Sequence, residues 1–452
     1  MMKALHWIFL ALIATLQTNA QAPFILKDSN PSSEAFRKRF LASYGINEAI
    51  EPKLDPKDRD LYQKALPYLQ DNPQEAIRVV EEGLPDDEEK PAFQFLLGNL
   101  YYRLENFAQS ERALSRAIKA FPSFRRAYRT LGLIYIQSEN FPKAAEAWRN
   151  VIALGGGDAQ SYGLLAYSQL SREKFASALS AYQMALMFNP DSWDFRRGQA
   201  HCLLALDKNK EALGLLDELI EEQPGETDFW LMQANLFLKM SRYQDAIANL
   251  EIVRILDKVD PQGLRLLGDL YLQEELPTHA LEAFTSALQK TTNFEKADAW
   301  ILPLRTFTNR VHLSEARQYL SSLKQTLPAS ALSKHSEILT VAEAALAMES
   351  DDAEKTLQLL TPVVKLNPMQ GEALLLVGRA YQQQSKLEEA AFHFERARSI
   401  PDSREEALVA LGRLKIAQGK IEDSLPFFRE AHKLNPREAL GNYIKRLEAF
   451  VQ

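Results

Sequence analysis

The chain has 452 residues, 46% apolar and 25% charged, an ordinary foldable composition and not that of a disordered segment. Its 53 lysines and arginines against 60 acidic residues leave a net charge of −7, so no general basic field exists for a nucleic-acid backbone. A single cysteine, Cys202, excludes an intrachain disulfide framework and any cysteine-rich metal site.

Residues 1–20 have the layout of a secretory signal peptide. Lys3 is the positive end, Ala4 to Leu16 is a mostly apolar run, and Thr18 and Ala20 are the small residues before an expected cut after Ala20. The run is shorter than the roughly 20 apolar residues that a membrane span needs. No cysteine lies near the cut for a lipoprotein anchor, and Asn30-Pro31-Ser32 is blocked as a glycosylation acceptor by its proline. The expected location is therefore periplasmic or secreted. In the segment 21–56, Ser32 and Ser33 can cap a short helix that carries Phe36, Phe40, Leu41 and Tyr44 on one stripe and ends at Gly45. This helix is expected to fold on the next element or to dock on a partner.

From residue 57 the chain repeats with a period of 34. Pro190 and Pro224 are 34 residues apart, and Pro122 lies twice that distance before Pro190. Units start at 57, 91, 125, 159, 193, 227 and 261, then at 297, 337, 371 and 405 after short insertions, about eleven units in all. The eighth place is small in most of them, as at Gly98, Gly132, Ala166, Gly268, Gly378 and Gly412. The twentieth is small too, as at Ala144 and Ala178, and the twenty-fourth is always large, as at Leu114, Trp148, Phe284, Phe394 and Phe428. Small and large residues four apart share one helix face, so each unit is expected to be two antiparallel helices that cross closely at the small places.

This pattern closely resembles the tetratricopeptide repeat. Unit two carries it as Leu97-Gly98, Tyr101, Phe107, Leu114, Ala117 and Pro122, and unit six has the family tryptophan as Trp230. The resemblance implies an all-α fold, a right-handed α-solenoid superhelix of helix-turn-helix repeats with a concave groove lined by each first helix. Repeats 1–7 fall at 57–294, an irregular repeat 8 and a joint at 295–336, and repeats 9–11 at 337–438. Lys64 and Pro67 mark repeat 1 as a modified cap, Pro303 and Leu304 disturb repeat 8, and Pro426 is expected to kink its helix. Residues 439–452 form a capping helix, with Leu440, Ile444, Leu447 and Val451 on one stripe.

Enzyme signatures are missing from the sequence: there is no His-Glu-x-x-His, Gly-x-Ser-x-Gly or phosphate-loop pattern, and no histidines are paired at metal-ligand spacing. Gly155-Gly156-Gly157 falls at a turn between repeats, and Cys202 beside a crossing place. No catalytic residue, metal or cofactor is expected.

In the resembling family, places 2, 5, 9, 12 and 13 of each first helix face the groove. Carried onto this chain, they give a partner-binding groove of Asn99, Tyr102, Arg103, Arg126, Arg129, Tyr167, Arg197, His201, Asn235 and Arg265, with Gln160, Asp194, Asp228, Lys239, Asp269 and Arg305 beside them. Arginine forks and tyrosines suit a peptide with carboxylates and apolar side chains. The family's chaperone-binding clamp has Lys at place 5, where this chain has Phe95 and Leu231, so that clamp is not supported. The segment Phe40 to Leu54, with Ser43-Tyr44-Gly45 and Glu51-Pro52-Lys53, is similar to periplasmic tetratricopeptide proteins that accompany TonB/ExbB/ExbD-type systems. The expected function is a non-enzymatic envelope scaffold binding a protein partner. The alternative is an accessory of polysaccharide assembly or export that holds glycan or a synthase subunit.

Overall fold

The computed structural model describes residues 51, 52, 54, 56–84, 90–292, 294 and 297–451. The expected signal segment and the helix around 32–44 lie outside them. Among the described residues every regular element is helical, with 24 α-helices and three short 3₁₀ turns. No helix among them is long and apolar enough to cross a membrane. The chain forms two compact units, one ending at Ser241 and the other beginning at Arg242.

The first unit stacks α1 (Arg59–Ala65), α2 (Pro73–Gly83), α3 (Pro91–Arg103), α4 (Phe107–Ala120), α5 (Arg125–Gln137), α6 (Phe141–Ala153), α7 (Ala159–Leu170), α8 (Phe175–Phe188), α9 (Trp193–Ala205), α10 (Asn209–Glu222) and α11 (Thr227–Lys239). The second contains α12 (Tyr243–Ile255), α13 (Pro261–Gln273), α14 (Pro277–Lys290), α15 (Asp298–Asn309), α16 (Leu313–Thr326), α17 (Ala329–Lys334), α18 (Ser336–Glu349), α19 (Ala353–Leu366), α20 (Gly371–Gln383), α21 (Leu387–Arg398), α22 (Arg404–Ala417), α23 (Ile421–Leu434) and α24 (Glu438–Val451). In both units, helices that follow one another pack as hairpins, and each hairpin stacks on the next.

The seam inside each hairpin follows the expected pairing of places 8 and 24. A methyl group built on Gly132 would lie 2.7 Å from the Trp148 ring, and one on Gly98 would meet Leu114 at 2.6 Å. Gly268, Gly378 and Gly412 stand in the same relation to Phe284, Phe394 and Phe428. The glycine removes the bulk that the ring needs, so the two helices close without a void. Where place 20 is a hydroxyl it spans the same seam: Ser110 Oγ donates to the Gly98 carbonyl at 2.6 Å, and Thr356 Oγ1 to that of Ala344 at 3.3 Å.

The turn between the two helices was not visible in the sequence. In ten repeats the residue at place 15 has a positive φ: Glu105, Glu139, Glu173, Asp207, Ser241, Glu275, Val311, Asp351, Ser385 and Gly419. In the third repeat, the Asn140 N–H donates to the Tyr135 carbonyl at 2.7 Å and that of Glu139 to Ile136 at 3.0 Å, the pair of bonds that closes a helix through a left-handed residue. Only one of the ten is glycine, so local preference does not set this turn. Packing of the two helices imposes it, at a cost of roughly 1–2 kcal/mol for a non-glycine residue.

The departures have separate causes. In repeat 1, Pro67 ends α1 early and a 3₁₀ turn follows, Leu66–Tyr68. The buried small residue there is Ala65, one place later than expected, while Lys64 is exposed. In repeat 8, Leu304 replaces the small residue and is fully buried, and Phe284, Phe307 and Tyr319 cluster with centroids 5.7 to 6.0 Å apart. Helix α15 continues through Pro303, and Tyr319 Oη donates to the Trp300 carbonyl at 2.7 Å. Pro362 and Pro426 likewise lie inside uninterrupted helices. The division between units falls within the sixth repeat, between α11 and α12, and the expected joint at 295–336 lies within the second unit. Around that stretch α14, α16 and α18 pack in succession within the second unit. At the end, Ile444, Leu440 and Leu447 of α24 cover Leu425 and Phe428, and Val451 of the expected stripe is exposed.

Candidate functional site

In the first unit the first helices of successive hairpins also touch one another directly, α3 with α5 and α7 with α9. They therefore line the inner face of the stack, and the expected groove residues can be located on it.

Several of them tie one repeat to the next. Asn99 is buried; its side-chain N–H donates to the Phe95 carbonyl at 2.9 Å, and its oxygen accepts from Thr130 Oγ1 of α5 at 3.2 Å. Tyr102 is buried as well, packed against Phe107 at 5.9 Å, and burial pushes its phenol up to about 12. Arg103 donates to the carbonyls of Leu69 and Gln70, the latter at 2.8 Å, closing the exposed end of the preceding repeat's first helix. Asn99 and Tyr102 thus lie buried where neighbouring first helices meet, while Arg103 is exposed and tied to the preceding repeat. Lys239 behaves like Arg103, pairing with Asp207 at the turn of the preceding repeat.

The remaining positions are more open. Arg129 donates to Gln160 Oε1 on the next repeat at 2.6 Å and to Asp158 Oδ2, the last residue of its own repeat, at 3.2 Å. Asp158 also caps α7 by accepting from the Ser161 N–H at 2.7 Å. Arg197 lies 3.5 Å from Asp194 and 3.7 Å from Asp228. His201 is half-buried, and burial first, then Arg197, holds its imidazole below the ordinary range. Tyr167 is half-buried, edge-on to Phe141 at 5.7 Å, and Asn235 is half-buried on α11. Arg265 belongs to the second unit, where its guanidinium lies over the Trp300 ring at 5.9 Å.

Arg126 differs from the others. Its Nε lies 2.7 Å from Oε1 of Glu51, a residue that precedes the repeats. Both side chains are largely shielded, with 18% of Arg126 and 8% of Glu51 exposed. Burial pushes the Glu51 carboxyl above its ordinary range, while Arg126 and then Arg125 pull it back. The ion pair thus offsets only part of the cost of burying the carboxylate, as is usual for a shielded pair. Sequence reasoning selected Arg126 and missed its partner, because Glu51 lies outside the 34-residue frame.

Other candidates for chemistry are accounted for structurally. Cys202 is fully buried, and burial pushes its thiol up to about 12. Gly155 has a φ of +79°, and a side chain on Gly156 would meet the Val151 carbonyl at 2.8 Å, so the glycine run is the turn between α6 and α7. No cluster of His, Cys, Asp and Glu among the described residues could hold a metal ion.

Two models of the tetratricopeptide repeat match the sequence, one over residues 95–159 and 231–293 and the other over 169–236. Each unit is an all-α solenoid of stacked helical hairpins, and the matched stretches are tetratricopeptide repeats. Tetratricopeptide folds among solved structures are similar to it at low identity. A tetratricopeptide repeat protein from Parabacteroides merdae has 16% identity and a TM-score of 0.36, covering 54% of this chain and 98% of its own. The APC/C hetero-tetramer Cut9-Hcn1 has 13% identity and a TM-score of 0.37, covering 87% and 96%. PilW, a type IV pilus biogenesis factor, has 16% identity and a TM-score of 0.35, covering 44% and 92%. No curated protein matches the sequence.

Proposed function

We propose that the protein is a non-enzymatic scaffold, exported to the periplasm or secreted, that binds an extended acidic segment of an envelope protein on the inner face of its first unit. One observation carries this reading: the inner face already holds a carboxylate from outside the repeats, Glu51 on Arg126. Arg129 and Arg197 continue the series on α5 and α9 with side chains still partly exposed. Guanidinium forks bind carboxylates in charge-assisted pairs, and an acidic partner segment would compete for Arg129 and Arg197 with the acids that pair them now, Asp158, Asp194 and Asp228. The layout of residues 1–20 supports the location. The similarity of residues 40–54 to proteins of TonB-type systems supports a partner in such a system. The burial of Tyr102 removes one of the two aromatic platforms that a glycan groove would use, which counts against the polysaccharide reading.

The test is capture from an envelope extract with wild-type protein and with an Arg126→Ala, Arg129→Ala, Arg197→Ala variant, each with an unchanged melting curve. Wild type is expected to retain a discrete acidic partner that is released as salt rises, because screening weakens surface ion pairs. The triple variant is expected to lose it. Identical capture by both, with identical salt sensitivity, would place the functional surface elsewhere.

A further inference from the structure

We propose that the second unit carries a socket for one lysine or arginine side chain of an extended partner segment, in the cavity between α15, α18 and α20 where Glu337 and Glu372 meet an apolar wall. The inference concerns the second unit alone and does not rest on the arginine face of the first.

Helices α15, α18 and α20 are successive first helices of their hairpins, and α18 packs on both of the others. They enclose a cavity of about 220 Å³. A site for a whole small molecule has roughly 300–1,000 Å³, so this space matches one long side chain. Ile338 and Val341 of α18 form its apolar wall, and Val341 belongs to the hydrophobic core, which holds the wall from behind. Arg305 of α15 and the carboxylates of Glu337 and Glu372 complete the lining. Both acids sit in the first turn of their helix, where the exposed N–H groups favour negative charge.

The two acids differ in what holds them. Glu337 Oε1 accepts from Asn367 Nδ2 at 3.0 Å. At Glu372 the backbone N–H is taken by Gln370 Oε1 at 3.1 Å, and among the described residues the carboxylate itself has one ion-pair partner, Arg305, whose Nε is 4.0 Å from Oε2. The nearby Arg379 is paired with Glu406. Burial holds the Glu372 carboxyl above its ordinary range, with Arg305 pulling it back, Glu406 pushing it up and Arg379 pulling it back. Two carboxylates and one guanidinium leave the cavity one negative charge in excess, which a single entering cation neutralises. Lysine and arginine lay their methylene stems along apolar surface and keep the charged head among polar groups, which is the order in which Val341, Ile338 and the two acids are arranged along the socket's helices. Arg305 is 54% exposed and has room to turn out to solvent as the ligand enters. Leu302, 46% exposed, lies three residues before Arg305 on the same helix face and offers a contact to an apolar residue beside the basic one, which favours a peptide over a free amine.

The experiment uses the full chain and a labelled, end-capped peptide, Gly-Ala-Leu-Lys-Leu-Ala-Gly, with companions in which norleucine or glutamate replaces the lysine. The lysine peptide is expected to bind about tenfold more tightly than the norleucine peptide, and the glutamate peptide more weakly than either. Glu372→Gln and Glu337→Gln, each with its melting curve recorded, are expected to remove most of that lysine preference. Arg305→Ala changes an exposed residue and keeps the test independent of how the Glu variants fold; it is expected to strengthen the lysine peptide about threefold by removing the competing cation. Unlabelled n-butylamine, the free cation, is expected to compete about tenfold more weakly than unlabelled lysine peptide. A lysine preference that survives both Glu variants would overturn the proposal, as would failure of the lysine peptide to bind at about millimolar concentration. A preference for the glutamate peptide that Arg305→Ala abolishes would make the cavity an anion site, and competition by n-butylamine equal to that of the peptide would make it a site for free amines; either result would also overturn it.

Discussion

The seam inside each hairpin and the inner face of the first unit are built from the same helices and obey different rules. At the seam, Gly132 faces Trp148 and Gly98 faces Leu114 because two volumes must add to one available space. On the inner face, Arg126, Arg129 and Arg197 are at equivalent or neighbouring places of their helices, yet each has a different partner. Volume complementarity recurs with the repeat, while polar partnership depends on which acid happens to be near. The seam therefore holds the fold, and the inner face is free to diversify for binding.

The sharpest way to break this contrast is to empty the seam. Trp148 is fully buried, and Trp148→Ala is expected to cost about 3–5 kcal/mol, read from urea unfolding. Because stacking couples nearest neighbours, faster hydrogen exchange is expected to centre on repeats 2–4. A loss below about 1 kcal/mol would mean that the glycine–tryptophan fit is not what closes the hairpin.

Filling the seam tests the same rule from the other side. Ala178 is fully buried in α8, and Ala178→Leu is expected to cost roughly 1–3 kcal/mol, with exchange rising in repeats 3–5. Exchange that rises equally over the whole chain would contradict nearest-neighbour coupling.

The second unit allows a test of a half-buried polar group, Asp269. Burial pushes the Asp269 carboxyl up to about 7, with Arg265 pulling it back. Its folded pKa is above the unfolded value of about 4, so the folded state holds a proton that the unfolded chain releases. This contribution is fully present at low pH and is lost as pH rises through about 7. Melting of the second unit is expected to be lower at pH 8 than at pH 6, and Asp269→Asn to flatten that difference. The same pH dependence in the variant would assign it to another group.

The smallest expected effect is a gain. Val311 has a φ of +63° and is exposed, so its β-branched side chain adds strain and little burial. Val311→Gly is expected to raise stability by about 0.5–1 kcal/mol after the extra unfolded-state entropy of glycine is subtracted. Destabilisation would show that Val311 makes contacts outweighing the backbone strain.

The contrast also explains what could be read from the sequence. The 34-residue period, the pairing of places 8 and 24 and the capping role of Ile444 were legible, since each follows from size and hydrophobicity at helical spacing. The left-handed residue at place 15 was not, because Glu105, Asp207 and Val311 share no side-chain chemistry and the turn is imposed by packing. The register shift to Ala65 was hidden by Pro67, which shortens α1. Of the groove residues, Arg126 was legible as a cation on the inner face. For Asn99, Tyr102 and Arg103 the family frame cannot say whether a side chain looks outward or bonds to a neighbouring repeat. Glu51 could not be found at all from the period, since it precedes the first unit.

The claim that folding and binding reside on separate surfaces is tested most directly by one paired measurement on the Arg126→Ala, Arg129→Ala, Arg197→Ala protein: its melting curve and its salt-dependent capture of partner, side by side with wild type. The expected result is a melting temperature within a few degrees of wild type, since these side chains fill no seam, together with loss of the salt-sensitive partner. A variant that unfolds as it loses the partner would show that the arginines are structural. A variant that melts normally and still captures the partner would contradict the assignment of the site.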